Sequence, residues 1–293
     1  MLDPHRNTIC NGFCGGRPFL VDGKHRMATS SVFKIDTPND QTAWKLAHEP
    51  QTLANSTLNK EIAMNFANQG EAEHASVASF ARHTLQLMTM GAPSTLLIGS
   101  QEAALDEIRH AKMSYGLANA FSGAIIHPTS LDVDGSVKAL GKEDIIQSVI
   151  NEGCIGETIA AVGAILGANY AKQPMVKDVL EKIAADESNH AQLAWTTVKW
   201  AINRFPELRN VVEGTFEVRL NHPIMTSINL PIDYSNDCEH DSALHDHGLL
   251  VEKDQRNAES FGIRNVIEPV VQNEFKNVES ISTKILSIDF SKF

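Results

Sequence analysis

Helical periodicity begins near residue 56 and runs, with three interruptions, to about residue 205. From Ser56 to Met90 apolar and polar positions alternate at three- and four-residue spacing, placing Met64, Glu73, Val77, Phe80 and Leu87 near one face. Gly91-Ala92-Pro93 breaks this helix, and Ser94 is positioned to cap the next. The second helix, about 95–120, carries Ala103, Glu107, His110, Ser114 and Leu117 on one stripe. So short a break predicts an antiparallel pair. A third helix, Lys142–Ala171, turns Ile146, Ile150, Cys154, Glu157, Ala161 and Ala164 inward. Lys172-Gln173-Pro174 ends it, and Pro174 opens a fourth helix running to about Asn203. Its inward stripe is Leu180, Ile183, Glu187, His190 and Ala194.

The flanks follow other rules. Residues 121–141 are too long and too broken for a hairpin turn and read as a long crossover between helices two and three. Residues 1–55 hold many breakers, among them Gly15, Gly16, Pro18, Gly23 and Pro38, and predict an irregular arm. One short strand pair is expected there, around Phe19–Val21 and Val32–Ile35. After Pro206 a mixed segment leads to an amphipathic helix, about Glu252–Val278, packed outside the bundle, and then to an extended tail. The expected class is all-α: an arm at 1–55 packing on the core, a four-helix bundle at 56–205, and a C-terminal extension at 206–293.

The inward stripes carry charge that a purely structural core would not. Asp106-Glu107-Ile108-Arg109-His110 and Asp186-Glu187-Ser188-Asn189-His190 share the pattern D-E-x-x-H. Residues three apart on a helix face the same way, so each motif sets a carboxylate beside an imidazole. Glu73 precedes the first motif and Glu157 the second, on the preceding helix in each case. The order Glu, E-x-x-H, Glu, E-x-x-H is a repeated helical hairpin, and it is how four-helix bundles hold two metal ions. The candidate ligands are Glu73, Glu107, His110, Glu157, Glu187 and His190. Two of the glutamates would bridge and two would be terminal. Oxygen-rich sites with one imidazole per ion suit iron or manganese better than zinc. Two His and four carboxylates leave octahedral positions open, where dioxygen can reach. Asp106 and Asp186 are expected to hold the His of the opposite helix pair by its second nitrogen. Glu152 lies on a competing stripe with Ile145, Val149 and Ile159 and is a reserve ligand.

Charge and cysteine content narrow the setting. With 25 basic and 36 acidic residues the chain carries −11, which argues against nucleic-acid and anionic-membrane partners. Four scattered cysteines, Cys10, Cys14, Cys154 and Cys238, read as reduced thiols of a cytoplasmic protein. The N-terminus shows no secretory signal, and no uninterrupted apolar run reaches the length of a membrane span.

Other candidates weigh less. Cys10 and Cys14 lack a second pair for zinc. The run Cys238, Glu239, His240, Asp241, His245, Asp246 and His247 reads as a solvated loop before a metal site. His74 points about 100° away from Glu73, toward packing or support. Arg82 and Arg109 suit buried ligand charge better than a substrate carboxylate. Glu71 is expected on a solvated face with Ala75, Ala78 and Arg82, and Tyr115 lies about 80° off the Glu107 direction. The small inward residues Ala103, Ala161, Ala164, Ala184 and Ala194 fit either close helix packing or a cavity. A cavity for a small organic molecule, roofed by the two extensions, is the version expected here.

Through EAEHAS, DEIRH, EGCIGE and DESNH the core resembles the ferritin-like di-iron carboxylate superfamily, which includes rubrerythrins, the ribonucleotide reductase small subunit and arylamine N-oxygenases. With CGGRPFLVDG and LHDHGLL those strings also resemble a bacterial group of ferritin-like-domain proteins. The resemblance covers the bundle and not the extensions. It implies a ferritin-like four-helix bundle with one long crossover, and two iron ions, Fe/Fe or Mn/Fe, on the six named ligands. It implies a dioxygen-activating oxidase or oxygenase acting on a small organic substrate by hydroxylation, N-oxygenation or desaturation. No catalytic residue beyond the ligands is indicated. An electron donor is required, and a homodimer is compatible. The competing expectations are ferroxidase or peroxidase-type handling of iron or peroxide, and a binding or scaffold protein with a structural dimetal site. Fold alone transfers no substrate.

Overall fold

Four long helical rods form where the sequence keeps its period, and they stop where it fails. The computed structural model describes residues 17–33, 44, 57–138, 140–221 and 238–288. Helix α1 (Thr57–Met90) ends at Gly91, whose φ of +69° favours glycine and lets the Ala92 N–H reach back to the Leu87 carbonyl at 3.0 Å. Helix α2 (Ser94–Ser122) begins at once. Ser94 is its first helical residue and not the cap expected, because Pro93 already holds the extended N-cap conformation. The pair is antiparallel. Thr84 Oγ1 meets Ser100 Oγ at 2.9 Å near the turn, and the Phe66 and Phe121 rings stack at the far end.

The second pair has the same plan. Helix α3 (Lys142–Ser148), a π-helical stretch (Val149–Glu157) and helix α4 (Thr158–Tyr170) form one continuous rod. Helix α5 (Pro174–Arg204) returns beside it, with Pro174 in the first turn as expected. A Cβ on Gly153 would lie 2.5 Å from the Ala194 Cβ, so the π-helical stretch touches α5 through backbone. The rod Lys142–Tyr170 is long and apolar enough to cross a membrane, yet 78% of its apolar window is buried against the rest of the chain.

Core formation corrects one inward position. Met64 is 47% exposed, and Ile62 and Phe66 are buried in its place. Nine residues separate Met64 from Glu73, which at about 100° per residue is half a turn off the stripe; Phe66 is close to on it. The C-terminal extension completes the other side. It comprises α6 (Arg209–Asn221), α7 (Cys238–His245), α8 (Glu252–Gly262), α9 (Glu268–Gln272) and α10 (Ile281–Leu286), with a π-helical link at Ile263–Ile267. Trp195 of α5 stacks on Phe216 of α6 at 5.2 Å, and Val266, Ile267, Ile281 and Ile285 are wholly buried in the same cluster. Each such side chain contributes about 1.5–3 kcal/mol by leaving water.

Three expectations about the flanks are corrected. The helix from Glu252 stops at Gln272 instead of Val278, because Glu274, Phe275 and Asn277 all take positive φ in a turn. The tail is helical over Ile281–Leu286 and clasps α5: Ser282 Oγ donates to Asn189 Oδ1 at 2.9 Å, and the Ser282 N–H to Gln192 Oε1 at 3.2 Å. The strand pair expected between Phe19–Val21 and Val32–Ile35 does not form. Asp22-Gly23, both at positive φ, fold β1 (Leu20–Val21) onto β2 (Lys24–His25). That leaves β3 (Ser30–Phe33) to pair antiparallel with β4 (Ile125–Pro128), a strand of the long crossover. Residues 34 and 35 lie outside the described residues. Among the described residues the fold is all-α apart from these short ribbons.

Candidate metal centre

Four rods deliver one inward carboxylate or carboxylate–imidazole pair each. Glu73 comes from α1, Glu107 and His110 from α2, Glu157 from the end of the π-helical stretch, and Glu187 and His190 from α5. All six are at most 3% exposed. They fall into two overlapping sets, Glu73, Glu107, His110 and Glu187, and Glu107, Glu157, Glu187 and His190. Within each set the ligand atoms lie within 4.8 Å of one another, so each can hold a metal ion.

The shared members show how the sets connect. His110 Nδ1 lies 3.3 Å from Glu187 Oε1 and 3.8 Å from Glu107 Oε2. His190 Nδ1 lies 3.2 Å from Glu107 Oε1 and 3.5 Å from Glu187 Oε2. Glu107 and Glu187 therefore each offer one oxygen to either set, and Glu73 and Glu157 each serve one.

The electrostatics ask for cations. Both oxygens of Glu107, Glu157 and Glu187, and Nδ1 of both histidines, are buried without a hydrogen-bond partner. A buried, unpaired carboxylate is strongly unfavourable. Burial, followed by the charges of Glu107 and Glu187, pushes the Glu73 carboxyl well above its usual range. Burial and Glu187 do the same to Glu157. Burial opposes charge on both imidazoles, yet carboxylate contacts outweigh it, Asp186 first for His110 and Asp106 first for His190, and hold both pKa values well above the ordinary one. Burial resists charge on Glu187 as well, but His110 and His190 outweigh it and hold its carboxyl well below the usual range. The six residues are oxygen- and imidazole-rich donors, and hard divalent cations fit them.

The two aspartates support the histidines crosswise. His110 Nε2–H donates to Asp186 Oδ2 at 3.1 Å, and His190 Nε2–H points to Asp106 Oδ2 at 3.5 Å. Each His thus takes its carboxylate from the other hairpin and keeps Nδ1 toward the cluster. Lys182 Nζ bonds Asp186 at 2.5 Å, and Arg109 pairs with Asp106. Burial works against ionisation of both aspartates, but these cations and the imidazoles hold their pKa values low.

Glu152 is not in either set. Arg17 Nε and Arg82 Nη2 donate to it at 3.2 Å, and Ser79 Oγ donates at 3.2 Å, so its oxygens are taken. The π-helical winding buries it despite its position off the α-helical stripe. Arg82 therefore serves a buried carboxylate, though not a ligand.

Glu71 is buried and not solvated, because β3 crosses it and the Ser30 N–H donates to its Oε1 at 2.6 Å. Tyr115, wholly buried, packs on Gly70 and edge-on to Trp44, away from both ligand sets. His74 meets the same Trp44 ring.

The His-rich run disperses. His240 pairs with Glu61, Asp246 with Lys172 and His245 with Asp254, while His247 packs on Phe121. It forms the seam by which α7 is fastened to the bundle and the extension, in place of the solvated loop expected. Cys10 and Cys14 lie outside the described residues.

Arg17, Ser79 and His83 are buried polar residues that sequence reasoning passed over. Arg17 sits in an aperiodic arm that carries no burial signal, whereas His83 lies on the Phe80–Leu87 stripe and was legible there. Ala194 meets Gly153 in the close packing described above. The chain matches no family model, no curated protein and no solved structure.

Proposed function

We propose that this chain is a ferritin-like, dioxygen-activating di-iron oxidase or oxygenase of a small organic substrate. The observation that carries the reading is the pair of overlapping buried ligand sets sharing Glu107 and Glu187. Four glutamates supply four negative charges, which two divalent ions would balance. Glu107, Glu187, Glu73 and Glu157 would hold the ions, with His110 and His190 one to each. When bound, two iron(II) ions would supply the electrons that reduce dioxygen, with Mn/Fe as a variant of the same oxygen-rich set. Asp186 and Asp106 fix which imidazole nitrogen faces the centre. The Phe80 ring contacts His190 edge-on at 5.1 Å and also meets the Arg17 guanidinium of the arm.

Anaerobic loading with Fe(II), followed by mixing with oxygenated buffer, tests this reading. The expected result is about two irons per chain and a transient visible absorption band. One metal or none, or two metals inert to oxygen, would overturn it. Continued uptake of iron well beyond that stoichiometry would instead mark an iron-handling protein.

A further inference from the structure

One aromatic ring joins the candidate metal centre to a second buried cluster. Phe80 contacts His190, and the Arg17 guanidinium lies 5.2 Å from the centroid of the same ring. Arg17 and Arg82 both donate to Glu152, which also accepts from Ser79. Arg17 is 1% exposed, and its Nη2 has no partner. His83, one turn beyond Phe80 on α1 and also 1% exposed, has no partner on either ring nitrogen. Burial, then the nearby charges of Arg17 and Arg82, push its pKa well below the ordinary value, so the ring is neutral. The Cys154 thiol, held protonated by burial, supplies no counter-charge to Arg17. Among the described residues, two guanidinium charges thus face one carboxylate. One positive charge is in excess there, and three polar nitrogens, Arg17 Nη2 and both of His83, are buried without a partner, while Arg82 is partly exposed and also donates to the Leu20 carbonyl.

We propose that Arg17, Arg82 and His83 form a buried anion subsite that takes the carboxylate of a small organic acid, with the acid's apolar part against Phe80. The surplus of a single charge fits a monoanion. A guanidinium N–H and an imidazole N–H are the donors a carboxylate's two oxygens require. The Phe80 ring offers an apolar surface that a bare inorganic ion would not use. This deepens the proposed function, since it names the substrate as an acid, and it relies on that reading only for calling the acid a substrate.

Binding is therefore measured on the full chain after chelation, so that no metal can take the carboxylate. Acetate, butyrate and benzoate are titrated by calorimetry, with acetamide, butyramide and benzamide as neutral counterparts and chloride as the plain ion. At least one acid should bind saturably, and its amide should bind about tenfold or more weakly. Arg17→Gln should weaken the acid by a similar factor, Arg17→Lys by less, and Lys199→Gln, in an exposed pair with Glu279, should change nothing. Melting curves establish that each variant is folded. If Arg17→Gln does not fold, the acid–amide comparison on the unaltered chain decides alone. The proposal is overturned if no acid binds up to about 50 mM, or if acid and amide bind equally. Equal binding of chloride, or unchanged binding in folded Arg17→Gln, overturns it too. Acid binding without oxygen reactivity would leave the subsite standing and remove the oxidase reading; the reverse would remove only the subsite.

Discussion

Each histidine of the centre has one nitrogen committed before any metal arrives. Asp186 and Asp106 accept from Nε2, which leaves Nδ1 pointing at the carboxylates. Asp186→Asn keeps the shape but swaps an anionic acceptor for an amide that can present its NH2 group. Metal affinity should then fall roughly 10–100-fold, read by competition with a chromophoric chelator, and unchanged affinity would show that Asp186 does not orient His110. At this scale the sequence was informative wherever spacing encodes direction. Glu107 with His110, and Glu187 with His190, are three apart on α-helices, and both Asp partners follow from their place one residue earlier. Glu152, expected as a reserve ligand, lies outside both sets and accepts from Arg17, which is far away in sequence. An ion pair across that distance leaves no local pattern to read.

Among the elements, the π-helical stretch does most to shape the centre. It carries Glu152 and Glu157 five residues apart, and i→i+5 winding brings such residues nearer to one face than an α-helix would. Both are buried, one toward the arginines and the other toward the ligands. Gly153 lets this widened turn press on Ala194. Gly153→Ala should push the stretch from α5 and destabilise the fold by about 1–3 kcal/mol, measured by urea unfolding. The same variant should lose metal, because Glu157 moves with the stretch; full metal content with unchanged stability would show that the contact relaxes freely. The four rods and their ends were legible to within a few residues from Gly91, Pro93 and Pro174. The strand partners were not, since pairing of β3 with β4 depends on the crossover folding back across α1. Nor was α10, a short helix whose stability comes from Asn189, Gln192 and the apolar cluster it joins.

Across the whole molecule, three apolar clusters stabilise a fold whose buried centre gathers like charges. The balance shifts when cations bind, because a ligand that binds only the folded chain stabilises it by mass action. Chelation at neutral pH should lower the melting temperature, and restoring Fe(II) without oxygen should recover it. At a ligand concentration of about 100 times Kd the linkage amounts to about 2.7 kcal/mol. A melting temperature indifferent to metal would mean that nothing occupies the two sets.

The clasp of α10 on α5 has a further consequence. Its anchor, Asn189, lies inside the very motif that carries Glu187 and His190. The matching motif on α2 has no such cover among the described residues: Leu105 and Ile108, beside Glu107, are 54% and 38% exposed. Among the described residues, one ligand helix is splinted by α10 and the other has two exposed apolar side chains at its motif. The duplicated hairpins are alike toward the centre and unlike toward the solvent, so two half-sites of the same composition sit on helices with different outer contacts.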